Sequence, residues 1–254
     1  MFEPLTPIEQ LIHDPSPEML CAAASDPRLT EHLALALLER SDLPANALER
    51  LAKHGRLKKR HKVQFALVSH ARTPRFVSLP LLKHLHTFEL MQVALKPAVP
   101  ADVKAAADEV ILNRRETVSP GEKLTLAKRG SGRLAGALLL DKEARIIAAA
   151  LDNPQLTGAL IVKALMKPRS PQALAEAVCK HAKWSLRPEV QRALLLHNGT
   201  PLGSALVFAR KVPAETLSEI LRQSRLSEKV REYLLKDSES HKCRSTELRV
   251  PSTE

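Results

Sequence analysis

Apolar residues along the chain recur at steps of three and four. Leu217, Ile220 and Leu221 form one such set, and Val230, Tyr233 and Leu234 form another. That spacing places them on one face of a helix, and strand-like alternation does not compete with it. Short punctuation of the type N/H/D followed by T/S and Pro recurs near 26–30, 70–74, 116–120, 153–157 and 197–201. Proline fits the first helical turn, where its missing N–H is not needed, and a preceding Thr or Ser is a natural cap. Thr73-Pro74, Ser119-Pro120 and Thr200-Pro201 follow this rule, whereas Pro80 falls inside a periodic stretch and is expected to kink it. The pattern predicts five three-helix units starting near 30, 74, 119, 157 and 201. A helical pair over about 6–24 precedes them, and the last helix is expected to end near Lys236.

A longer repeat overlies the short one. Shifted by 127 residues, segment 26–108 aligns with 153–235 without a gap, and 20 of the 83 positions are identical. The matches include Pro44 and Pro171, His54 and His181, Gln64 and Gln191, His70 and His197, and Thr73-Pro74 and Thr200-Pro201. Internal duplication is the economical explanation. The expected organisation is an N-terminal helical cap (1–25) and an α-solenoid (26–236). Within the solenoid the duplicated halves 26–108 and 153–235 are joined by a middle unit, 109–152. A polar, disordered tail (237–254) follows.

The stretches GEKLTLAKRGSGRLAGALLLD (121–141), RIIAAALDNPQLT (145–157) and the KHAKW…R block (180–187) carry a resemblance. Across roughly 26–236 the chain resembles a group of bacterial HEAT/armadillo-like repeat proteins. The resemblance implies an all-α, right-handed α-solenoid and brings no activity with it.

Composition narrows the function classes. Aromatics make up only 3% of the 254 residues, so the core is built from Leu, Ala, Val and Ile, which suits helix packing. Cys21, Cys179 and Cys243 are odd in number and form no CxxC pair. This disfavours a disulfide framework or zinc knuckle and fits a reduced, cytoplasmic setting. The first residues do not read as a signal peptide, and no apolar run reaches membrane-spanning length. The net charge of +11 is uneven: residues 1–52 hold nine acids and three bases, and residues 53–133 hold six acids and 17 bases. An acidic start on a basic body suits an anionic partner or two differently directed ends.

Candidate contacts with an anion or partner are Lys53, Arg56, Lys58, Lys59, Arg60 and Lys62 in HGRLKKRHK and its flank. Arg129 and Arg133 flank Gly130-Ser131-Gly132, a possible phosphate cradle that a tight turn with a Ser cap explains equally well. Lys180, Lys183, Trp184 and Arg187 belong to the second copy. There Trp184 either stacks on a ligand or packs in the place held by Leu57. The paired histidines lack neighbouring carboxylates in sequence and suit carbonyl capping at helix ends. No catalytic residue, metal site or cofactor is expected. The leading expectation is a non-enzymatic scaffold for a protein or peptide partner, with no membrane role. Alternatives are nucleic-acid binding through a basic face and, by analogy of architecture alone, a HEAT-like DNA glycosylase.

Overall fold

The computed structural model describes residues 8–247, with side chains as far as Ser238. Among the described residues all regular structure is helical: seventeen α-helices and one 3-10 turn, with no strand. The chain divides into two compact units, Met1–Ser119 and Pro120–Glu254. Most helices are eight to ten residues long. Helices this short are marginal alone in water, so packing of their apolar faces must hold them.

The first unit contains α1 (Ile8–Leu11), α2 (Pro17–Ser25), α3 (Glu31–Leu38) and α4 (Ala45–Lys53). A 3-10 turn (Leu57–Lys59) then leads into α5 (His61–Ser69), α6 (Arg75–Leu82), α7 (Thr87–Leu95) and α8 (Ala101–Asn113). The second unit contains α9 (Pro120–Arg129), α10 (Gly132–Leu138), α11 (Ala144–Leu151), α12 (Gly158–Leu165) and α13 (Gln172–Lys180). It continues through α14 (Pro188–Leu196), α15 (Leu202–Ala209), α16 (Ala214–Gln223) and α17 (Glu228–Glu247). Helices α3, α6, α9, α12 and α15 each start one residue past an expected unit start.

Packing follows the same spacing. Helix α3 packs on α5 and α6 on α8 in the first unit; α9 packs on α11, α12 on α14 and α15 on α17 in the second. The contacts α2·α4, α5·α6, α5·α7 and α7·α8 of the first unit reappear as α11·α13, α14·α15, α14·α16 and α16·α17.

The interiors match residue by residue at the 127-residue offset. Leu29 and Leu156, Leu38 and Leu165, Val63 and Val190, and Leu67 and Leu194 are all buried. Ala47-Leu48 of one unit becomes Leu174-Ala175 of the other, with all four buried. The exchange conserves volume, which cores tolerate best.

Polar joints repeat as well. Thr73 Oγ1 donates to the Leu67 carbonyl at 2.6 Å, and Thr200 Oγ1 donates to Leu194 at 2.6 Å. Gln64 Nε2 donates to Lys58 O and Gln191 Nε2 to Ser185 O, both at 2.7 Å. The Arg72 and Gly199 N–H groups donate to Nδ1 of His70 and His197. The Thr and His bonds tie a helix end to the loop that follows, and the Gln bonds tie a helix start to the segment before it.

Three expectations are corrected. Thr73 and Thr200 do not cap the helix that follows. Their hydroxyls turn back to the preceding helix, and Pro74 and Pro201 occupy the N-cap positions of α6 and α15. The last helix does not stop near Lys236. Helix α17 runs to Glu247, so 237–247 is helical rather than disordered, and 248–254 lies outside the described residues. Arg210 anchors the extension through two bonds to the Asp237 carboxylate, at 2.9 and 3.0 Å. Finally, His181 does have a neighbouring carboxylate, with Nε2 3.2 Å from Asp152 Oδ1. Pro80 lies inside α6 on its exposed side, where water can serve the carbonyl left without a donor.

Candidate functional site

In the first unit an open groove of about 580 Å³ is walled by α3, α5 and α7 and the loops that follow them. Its apolar lining is Leu35, Leu38, Phe65 and Ala66, supplied by the inward steps of α3 and α5. Glu39, Arg40, Lys62, Glu89 and Lys96 add charges of both signs. Arg40 is held by Asp42 in a two-bond pair at 3.0 and 2.7 Å, and Glu89 Oε2 accepts from His61 Nε2 across 2.6 Å, so both arrive pre-positioned. The adjacent Arg40 guanidinium holds the Asp42 carboxyl below its ordinary range. His70 Nε2 lies 2.9 Å from the Arg40 carbonyl, which fixes the ring in the wall. Ser69 also lines the groove. Its hydroxyl is buried, the residue being 4% exposed, and it has no hydrogen-bond partner. Leaving such a group unsatisfied costs about 1–3 kcal/mol.

The equivalent place in the second unit is differently furnished. Ser69 corresponds to Leu196 and Phe65 to Arg192. Ala98, exposed on the groove rim, corresponds to Arg225. The Arg225 guanidinium donates to the carbonyls of Lys167 (3.2 Å) and Met166 (3.4 Å), and the Arg225 backbone N–H donates to Leu196 O (3.0 Å). Lys167 and Met166 correspond to Arg40 and Glu39 of the groove. Arg225 therefore spans in one unit the position that Ala98 leaves open in the other. Burial and the charge of Arg225 push His197 below its ordinary pKa, against a smaller raising effect of its bond to the Ser170 backbone.

The basic candidates do not gather in this groove. Lys62 alone lines it; Lys53 and Arg56 border a separate cleft of about 440 Å³ with Arg50 and His54. Arg50 there is engaged with the Cys21 carbonyl and the Ser25 hydroxyl. Lys58 and Lys59 are exposed on the 3-10 turn, and Arg60 leans on Glu31 at 3.7 Å. In the second unit Arg129, Arg133, Lys180 and Arg187 are exposed. Lys183 lies over the Trp184 ring at 4.1 Å from its centre. Trp184 itself is 3% exposed, and its Nε1–H donates to the Leu151 carbonyl at 2.8 Å. With its faces packed and its N–H spent, it fills the slot of Leu57 and offers no stacking platform.

The Gly-rich turn serves packing. A Cβ at Gly132 would collide with the Gln155 carbonyl, so only glycine permits that backbone approach. Asn153 Nδ2 donates to the carbonyls of Ala127 and Gly130, and Ser131 caps α10 through Leu134 N–H. Among the described residues no helix is long and apolar enough to cross a membrane.

Sequence reading missed the groove. The available signal was the pair Ala98 and Arg225 at aligned positions, together with Ser69 against Leu196. No family model, curated protein or solved structure matches the chain.

Proposed function

We propose that the chain is a non-enzymatic interaction scaffold of the α-solenoid kind, related in design to HEAT/armadillo repeats, and that it holds a protein or peptide segment in the first-unit groove. The supporting observation is the unpartnered Ser69 hydroxyl at an apolar, mixed-charge groove whose counterpart is spanned by Arg225. Packing does not demand the hydroxyl, because the sister unit carries Leu196 there. An apolar side chain of the partner would pack against Leu35, Leu38 and Phe65, and a backbone or polar side-chain group would pair with Ser69 once its side chain rotates out of its buried position. This is the usual division between burial and orientation at a binding site. The triplet packing of α3–α8 and α9–α17 supports five three-helix repeats as the frame. The division of the basic residues between two clefts and a 3-10 turn weighs against a single nucleic-acid face.

The test is selection of binders from a random peptide library on the full chain, repeated with Ala98→Arg. The substitution copies the second unit's own plug at an exposed position. The expected result is a set of peptides whose affinity falls at least tenfold in the variant. Equal binding by both proteins contradicts the reading. So does a chain that selects no peptide but binds duplex DNA or single-stranded RNA with affinity falling steeply in salt.

A further inference from the structure

Three side chains with metal-binding chemistry converge at the joint between α5 and α7. His61 is the first residue of α5; His86 is the N-cap residue of α7, and Glu89 is its third. One ligand atom from each lies within 4.8 Å of the others. His61 Nε2 and Glu89 Oε2 are 2.6 Å apart, and the two imidazole centres are 4.3 Å apart. The His86 N–H donates to Glu89 Oε2 at 2.9 Å, which holds the carboxylate over the start of the helix. His61 and Glu89 are partly buried, while His86 is exposed and open to an entering ion.

We propose that His61, His86 and Glu89 form a binding site for a first-row divalent cation of the zinc type. Two imidazoles and one carboxylate are a donor set that suits Zn²⁺, and hard cations such as Mg²⁺ or Ca²⁺ prefer all-oxygen shells. Bonds of about 2.0–2.2 Å set tetrahedral ligand atoms roughly 3.3–3.6 Å apart. His61 Nε2 and Glu89 Oε2 lie closer than that and the His86 ligand atom lies within 4.8 Å of both, so loading needs side-chain adjustment. The ion takes the place of the direct hydrogen bond between His61 Nε2 and Glu89 Oε2. Three protein ligands leave one position for water or a partner's donor. Arg60 and Lys62 flank His61 with charge of the ion's own sign, so Glu89 must supply the compensating negative charge.

The repeat shows that the fold does not require these residues. Their counterparts at the 127-residue offset are Pro188, Pro213 and Thr216. Pro188 opens α14 and Pro213 occupies the N-cap of α16, so helices begin at both places without a metal-binding side chain. All three ligand types were thus introduced, or kept, in one copy alone. The inference does not rest on peptide binding, although Glu89 also lines the groove.

The experiment titrates the full chain with Zn²⁺ by calorimetry and with Co²⁺ by visible absorption, in parallel with His86→Pro/Glu89→Thr, His61→Ala and His84→Ala. The double variant carries the second unit's residues, and its melting curve checks that it folds. The expected result is one equivalent bound by the native chain, with Co²⁺ bands of a four-coordinate site. Affinity should fall at least tenfold in the double variant and in His61→Ala, and stay within threefold in His84→Ala. Absence of one-equivalent binding overturns the proposal, as does unchanged affinity in the folded double variant or in His61→Ala.

Discussion

Segments 54–62 and 181–189 align at the 127-residue offset, with a shared interior and different exteriors. Position by position, the interior is kept: Leu57 and Trp184 are both buried, as are Val63 and Val190, and Gln64 and Gln191 donate to equivalent carbonyls. The exterior is exchanged: Leu186 replaces Lys59, Pro188 replaces His61 and Glu189 replaces Lys62 at the aligned positions. The same division holds at the groove, where Ala98 leaves open what Arg225 spans. Comparing sister units therefore separates what the helical frame requires from what is free to change. Many residues kept at the offset sit in the core or tie helix ends, with the exposed pairs Lys53/Lys180 and Arg60/Arg187 as exceptions. Those that differ, and yet converge in space, are candidates for function.

The largest expected effect lies in the shared slot. Trp184→Ala should cost about 3–5 kcal/mol and Leu57→Ala about 2–5 kcal/mol in denaturant melts. Trp184→Leu, which installs the first unit's residue, should cost less than Trp184→Ala while leaving the Leu151 carbonyl without its donor. A loss under about 1 kcal/mol for Trp184→Ala would break the equivalence of the two slots.

Next come the helix-end joints. Thr73→Val and Thr200→Val should each cost about 0.5–1.5 kcal/mol, because the Leu67 and Leu194 carbonyls lose one of two donors and keep the His70 and His197 backbone N–H. Equal losses sharpen the comparison, and a neutral result at either site breaks it there.

Arg225→Ala tests the spanned position. His197 has a depressed folded pKa, whereas the unfolded chain takes up its proton near pH 6.5. The stability that neutral His197 contributes is therefore present above that value and is lost as pH falls through the lower folded value. Removing Arg225 takes away one cause of the depression. The imidazole titration followed by NMR should move upward in the variant, and the acid loss of stability in that window should become shallower. A His197 titration unaffected by the substitution would show that the guanidinium does not occupy the place assigned to it.

The smallest effect on stability belongs to Ala98→Arg. The site is exposed, so melting should shift by no more than about 0.5 kcal/mol. A larger destabilisation would mean that the first unit cannot accept its sister's plug.

Much of the frame was legible in the chain. Three-and-four spacing and proline punctuation located the helices, and the ungapped offset identified equivalent positions. The direction of the threonine bonds was not legible, because a Thr-Pro pair reads equally well as capping the helix before it or after it. Nor was the end of α17: a polar stretch looks like a tail until Arg210, 27 positions earlier, meets Asp237. The groove and the His61, His86 and Glu89 cluster arise from residues far apart in sequence, brought together by helix packing. Charge density drew attention to 53–62 instead, yet those side chains spread over different surfaces once the 3-10 turn and α5 form.

The central claim is best tested by locating a bound peptide. Amide chemical shifts of the isotopically labelled chain, recorded during titration with a library-selected peptide, should change around Leu35, Phe65, Ser69 and Ala98, and those around Leu196 and Arg225 should stay still. Changes confined to the exposed basic residues 53–60, or shared equally by the two sister positions, would contradict the account.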